Sequence, residues 1–216
     1  MSLISIISQL IYTLPAVLIA ISMHEFAHGY VSYKLGDPTP KDMGRLSVNP
    51  LAHLDLVGAL CLMFFHFGWA KPVGVNPYYY KDRKKGMVLV ALAGPIMNFF
   101  IAFLSIAGMG LILKITNGYA GKILIYIFNF LNYLFIINIG LGVFNLIPVP
   151  PLDGSKVVGA VLPSDQYFKY MQYERYGTII LLALLYLNIL DMPLSIIRGG
   201  ISEFMWTAVS FIFRLN

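Results

Sequence analysis

The stretch LISIISQLIYTLPAVLIAISMHEFAH, Leu3–His28, decides how this chain is read. From Leu3 to Met23 it is predominantly apolar, and at 1.5 Å per helical residue such a run crosses a bilayer core of about 30 Å. Its end carries His24, Glu25 and His28, three ionisable groups set into the same helical pattern. Residues 1–33 contain no Lys or Arg, so the basic first region of a removable signal peptide is missing. The stretch reads as a first membrane helix, kinked or loosened near Pro15.

Composition agrees. Of 216 residues, 58% are hydrophobic and 12% charged, against about 25% charged in an average soluble domain. Mean hydropathy is +0.76. These values exclude a disordered chain, a disulfide scaffold and most soluble enzymes. The net charge of +5 does not point to nucleic acid, because the basic residues sit between apolar runs, where membrane proteins place them. The single cysteine, Cys61, allows no internal disulfide.

Five further apolar stretches follow. Leu51–Ala70 is interrupted by His53, Asp55 and His66. Gly86–Leu113 and Gly121–Ile147 are long and clean, the second beyond Lys122 at its start. Gly177–Leu190 is short for a span, and Met192–Phe213 holds Arg198 and Glu203. Tyr78, Tyr79 and Tyr80 beside Lys81–Lys85 read as an interfacial belt. The fold class expected is all-α integral membrane: five to six transmembrane helices, with a re-entrant loop and room for short β-strands between the first and second full spans. We expect one membrane-embedded domain over 1–216, its core at about 1–160 and a C-terminal helical hairpin at about 177–213.

One motif carries chemistry. His24 and His28 are four residues apart, so both imidazoles lie on one helix face and can hold a single tetrahedral zinc. Glu25 beside them can reach a metal-bound water as general base. Placed at random, this chain's His and Glu would form the pattern roughly once in a thousand such chains. Ionisable groups within a membrane helix are costly and usually functional.

A catalytic zinc needs a third protein ligand and an open position. Asp153, in Pro150-Pro151-Leu152-Asp153-Gly154, follows directly on a span; His53 and Asp55 are the rivals. Asp37, Asp42, Asp82 and Asp165 lie in polar connectors and read as solvated loop carboxylates. If Leu51–Ala70 crossed the membrane, His24 and Asp153 would end on opposite sides. If it is re-entrant, they share a face, and so do all the Lys and Arg except Lys114, Lys122 and Arg198. That distribution obeys the positive-inside rule and favours Asp153, with the N-terminus outside and the zinc towards the cytoplasm.

His24–His28, then Gly94-Pro95-Ile96-Met97-Asn98, then Asn145 through Gly154 together resemble the site-2 protease family of intramembrane zinc metalloproteases. Each fixed position of its HExxH, GPxxN and NxxPxPxLDG elements is matched, across about residues 15–160. GRLSVNPLAHLD (Gly44–Asp55) and FGWAKPVGVNP (Phe67–Pro77) resemble the compact bacterial and archaeal branch that includes sporulation-factor processing proteases. The resemblance implies one zinc per chain held by His24, His28 and Asp153, with Glu25 as base. It implies a transmembrane protein substrate cut within or near the bilayer of a prokaryotic cytoplasmic membrane. It also admits a regulatory membrane protein as a further partner.

Asn98 and Asn145 are candidates for binding substrate carbonyls; an interhelical hydrogen bond is the alternative. His53 and Asp55 are candidates for supporting the zinc ligands from behind. Gly44–Val48 and Val73–Asn76 are candidate edge strands for an unwound substrate. Pro148, Pro150 and Pro151 break the chain's helix and leave backbone carbonyls near the metal. The rival function is a non-proteolytic zinc-binding membrane transport or structural protein. A carrier would need a polar route through the bilayer, which the two clean spans do not offer, and has no use for a base at position 25.

Overall fold

The computed structural model describes residues 3–53, 55, 71–117, 119, 121–163, 166, 170 and 174–215. Six longer helices are used below: α1 (Leu3–Lys34), α2 (Arg83–Thr116), α3 (Lys122–Asn145), α4 (Asp153–Val161), α5 (Glu174–Tyr186) and α6 (Asp191–Phe213). Single helical turns at Thr39–Asp42 and Pro50–His53 and a 3-10 turn at Pro77–Tyr79 lie between α1 and α2.

Among the described residues four helices have the length and apolarity to cross a membrane: α1 over Gln9–Lys34, then α2, α3 and α6. The element on which the expected count of five to six turns is α5. Its 13 residues rise only about 20 Å at 1.5 Å each, short of a hydrocarbon core. Pro15 lies inside α1 without ending it.

Residue 54 and residues 56–70 lie outside the described residues, and with them the course of the expected re-entrant loop, Cys61 and His66. The flanks of that segment meet: Lys71 donates its backbone N–H to the carbonyl of His53 at 2.9 Å. Among the described residues no strand forms. The Val73 and Asn76 amides go to the carboxylates of Glu25 and Asp37 instead of to a ladder.

The chain divides into two compact units. One comprises Met1–Ala20, Asn98–Phe144 and Leu182–Asn216. Its core is Ala102, Ile106, Phe135, Ile139, Val143 and Val209. Small residues let its helices approach: a Cβ on Gly142 would stand 2.8 Å from the Phe99 ring, and one on Gly110 would stand 2.5 Å from Val209. Inside this unit Asn98 donates its carboxamide to the Ala20 carbonyl (3.1 Å) and to Asn138 Oδ1 (2.8 Å), both asparagines being fully buried.

The other unit, Ile21–Met97 with Asn145–Leu181, holds every ionisable residue of the candidate site. Its connector after α1 is organised around Asp37. Gly36, at φ +104°, ends α1 in the left-handed region that glycine tolerates. Asp37 is fully buried, against the expectation of a solvated carboxylate. Its Oδ2 accepts from the Ser32 hydroxyl and the Asn76 amide, both at 2.7 Å, and its Oδ1 accepts from the Thr39 amide at 3.0 Å. Asp42 and Asp82 are exposed, as expected; Asp165 lies outside the described residues. Tyr78 and Tyr79 are exposed, but Tyr80 is buried, its hydroxyl 2.7 Å from that of Ser32. It leaves the interfacial belt because Gly86 gives its ring a seat that any Cβ would fill.

Candidate metal and active site

α1 presents His24 and His28 one turn apart, with ring centroids 4.6 Å apart and the rings nearly perpendicular. Their Nε2 atoms are 2.9 Å from each other, and each is 3.1 Å from Oδ2 of Asp153. All three residues are buried. Among the described residues this trio is the group of metal-type donors that converges; His53 and Asp55 do not join it.

Asp153 reaches the site because the proline run ends α3 and restarts the chain as α4, with Asp153 as its first residue. A carboxylate suits a helix N-terminus. Gly154 behind it lies so close to the carbonyls of Leu146 and Ile147 that no Cβ fits. Ser155 returns its hydroxyl to the Leu152 carbonyl at 2.6 Å, closing the first turn. The proline carbonyls are not all left open, since Pro148 accepts from the Tyr170 hydroxyl at 2.9 Å.

These donors fit zinc. With bonds of about 2.0–2.1 Å, tetrahedral zinc places neighbouring ligand atoms about 3.3 Å apart, within a few tenths of an ångström of the spacing found. The tautomer also fits. His28 donates Nδ1–H to the Val90 carbonyl at 2.6 Å, which leaves the neutral ring's lone pair on Nε2, facing His24 and Asp153. One proton cannot satisfy all three mutual contacts among two imidazole nitrogens and a carboxylate oxygen, whereas one cation does. Asp153 binds a metal only as the ionised carboxylate. Lys156 stands 3.6 Å from its other oxygen.

Glu25 faces away from its own helix and accepts the Val73 amide at 2.9 Å through Oε2. His53 is buried, with Nε2 directed to the Ser47 carbonyl at 2.7 Å. Asn145 is the last residue of α3. Asn98 makes the interhelical hydrogen bonds described above.

Several contributors escaped the sequence reading. Asn138 is one; α3 carries Asn129, Asn132, Asn138 and Asn145, and nothing in the sequence singles out the one that meets Asn98. The Val90 carbonyl carries no signal in sequence at all. Gly94 stood in a recognised element, but its part is visible only in space: a Cβ there would stand 2.5 Å from His28 Nε2 and 2.6 Å from His24 Nε2.

A helical membrane protein with a buried His-His-Asp cluster beside a glutamate defines the class of membrane-embedded metallopeptidases. The profile of Peptidase family M50 matches residues 106–187. YwhC of Bacillus subtilis, whose name assigns it as a zinc metalloprotease, is 37% identical over 82% of this chain and 81% of its own length. Rip2 of Mycolicibacterium smegmatis, named in the same way, is 24% identical over 84% of this chain and 69% of its own. MJ0392 of Methanocaldococcus jannaschii, named a zinc metalloprotease, is 27% identical over 67% of this chain and 32% of its own. No solved structure gives a significant match. The chain belongs to peptidase family M50, the site-2 protease family of zinc-dependent peptidases.

Proposed function

We propose that this protein is an intramembrane protease, cutting a transmembrane protein within or near its membrane helix. The observation that carries this reading is the convergence of His24, His28 and Asp153 in one buried spot, next to Glu25 and at the end of a membrane-length helix. His24, His28 and Asp153 are the proposed zinc ligands and Glu25 the proposed base. A zinc held by these three residues would supply a Lewis acid for the scissile carbonyl and an activated water. Glu25 takes the water's proton and delivers it to the leaving amine. Asp153 and the two imidazoles contribute fixed, desolvated donors, and Val90 keeps His28 in the ligating tautomer.

The substrate's scissile carbonyl is bonded within its own helix and must be freed before attack. Asn98 and Asn145 are proposed for substrate carbonyls, although the Asn98 amide nitrogen is already committed to Ala20 and Asn138. His53 and Asp55 are proposed as support around the site. We place the N-terminus outside and the site towards the cytoplasm of a prokaryotic membrane. The hydrogen bond between Lys71 and His53 supports this, because it holds those two residues on one side. The basic residues around it then collect on that side.

Glu25→Gln tests the reading. Co-expressed with a set of single-span membrane reporters that the wild type cleaves, the variant should keep its zinc and lose cleavage. Unchanged processing would remove Glu25 as the base.

A further inference from the structure

Glu25 is oriented by a distant part of the chain. Its hydrogen-bond donor, the Val73 amide, belongs to the irregular segment Lys71–Asn76. Three residues further on, the Asn76 amide is held at 2.7 Å by Asp37, just beyond the end of α1. The segment is thus pinned by two carboxylates, one from α1 and one from the turn after it. Its start is pinned as well, by the Lys71 amide on the His53 carbonyl.

The packing fits this purpose. Gly29 follows Glu25 by one helical turn on the same face. A Cβ there would stand 3.3 Å from Cγ1 of Val73, so the missing side chain is what lets Val73 approach the helix. The Asp37 anchor is rigid: a fully buried carboxylate accepting from a hydroxyl and two amides. Charge-assisted bonds of this kind are about twice as strong as neutral ones. Burying a carboxylate is costly, and the three donors offset that cost only in this one arrangement.

We propose that Lys71–Asn76 is a strap that orients Glu25 for proton transfer, and that Asp37 is the positioning residue that anchors it. The proposal rests on the reading of Glu25 as the base. A glutamate in a helix has several rotamers, and a fixed amide on Oε2 selects one. Orientation matters because a misplacement of 1 Å can cost on the order of 100-fold in rate.

The test uses the full-length, zinc-loaded protein in proteoliposomes with Asp37→Asn, Val73→Pro, Glu25→Ala and Glu25→Gln. Val73→Pro deletes the donor itself and stands in if Asp37→Asn fails to fold. The substrate is the reporter that the wild type cuts fastest, drawn from single-span proteins with a helix-breaking Asn-Pro or Gly-Pro pair. Asp37→Asn and Val73→Pro should lower kcat on the order of 10–100-fold, with KM and zinc content within about twofold of wild type. Hydrogen exchange should be faster at the Val73 amide in Glu25→Ala, and at the Val73 and Asn76 amides in Asp37→Asn. Wild-type kcat in both strap variants overturns the proposal. So does a loss expressed only in KM or in zinc content, and so does Val73 exchange indifferent to Glu25→Ala. Glu25→Gln separates the two ideas. Full cleavage by that variant defeats the reading of Glu25 as the base, whereas its loss beside active strap variants defeats the strap alone.

Discussion

Gly94 of α2 faces His28 of α1 so closely that a methyl group on Gly94 would stand 2.5 Å from Nε2. One turn earlier on α2, Val90 accepts the other nitrogen of the same ring. Two positions four residues apart on α2 thus serve two residues four apart on α1. One leaves room, and the other sets the tautomer.

Gly94→Ala should therefore displace the imidazoles without abolishing the fold. We expect zinc affinity to fall on the order of 10–100-fold, the range seen when ligand orientation is disturbed. Competition with a chelator measures it. Wild-type affinity would mean that the ring positions tolerate a methyl group.

Removing the metal should lower stability. A ligand that binds only the folded state contributes about 2.7 kcal/mol at 100 times its Kd. The chelated protein in detergent should melt below the zinc-loaded one, and restored zinc should return the difference. Melting that ignores both steps would argue against a cation at His24, His28 and Asp153.

Asp37 should make stability fall with acid. Burial pushes its carboxyl up, but the donors from Thr39, Asn76 and Ser32 prevail and hold it below the ordinary value. A folded-state pKa below the unfolded one adds stability that is complete above about pH 4 and is lost as pH falls further. Asp37→Asn lacks that contribution, so its deficit against wild type should be full at pH 7 and shrink below about pH 4. Melting curves of both proteins across that range decide it; a constant deficit would mean that charge at Asp37 plays no part.

The Asn98–Asn138 hydrogen bond joins two helices at 2.8 Å, with both side chains fully buried. Double-mutant cycles between membrane helices average about 0.6 kcal/mol, with a maximum near 1.7. Replacing both residues by Ala, singly and together, should give a coupling in that range when unfolding is followed in detergent. Zero coupling would leave this contact without weight.

What could be read from residues alone follows from local physics. An apolar run long enough for a bilayer is a property of consecutive residues, so α1, α2, α3 and α6 were legible. So was the His24–His28 pair, because helical spacing places both rings on one face. Asp153 emerged as a candidate from charge distribution and from the element Asn145–Gly154, and it stands at the start of α4. Asp37 was misread. A carboxylate in a polar connector is ordinarily solvated, and the Asn76 amide that holds this one comes from far along the chain.

The sequence by itself determined that the protein is helical, lives in a membrane and carries two histidines on one helix face beside a glutamate, because hydropathy and helical periodicity act between near neighbours. Tertiary structure alone decided which nitrogen of His28 is free, why position 94 has no side chain and which backbone amide holds Glu25. Each of those is a contact between segments that meet only when the chain is packed, and a backbone carbonyl or amide leaves no mark on residue identity.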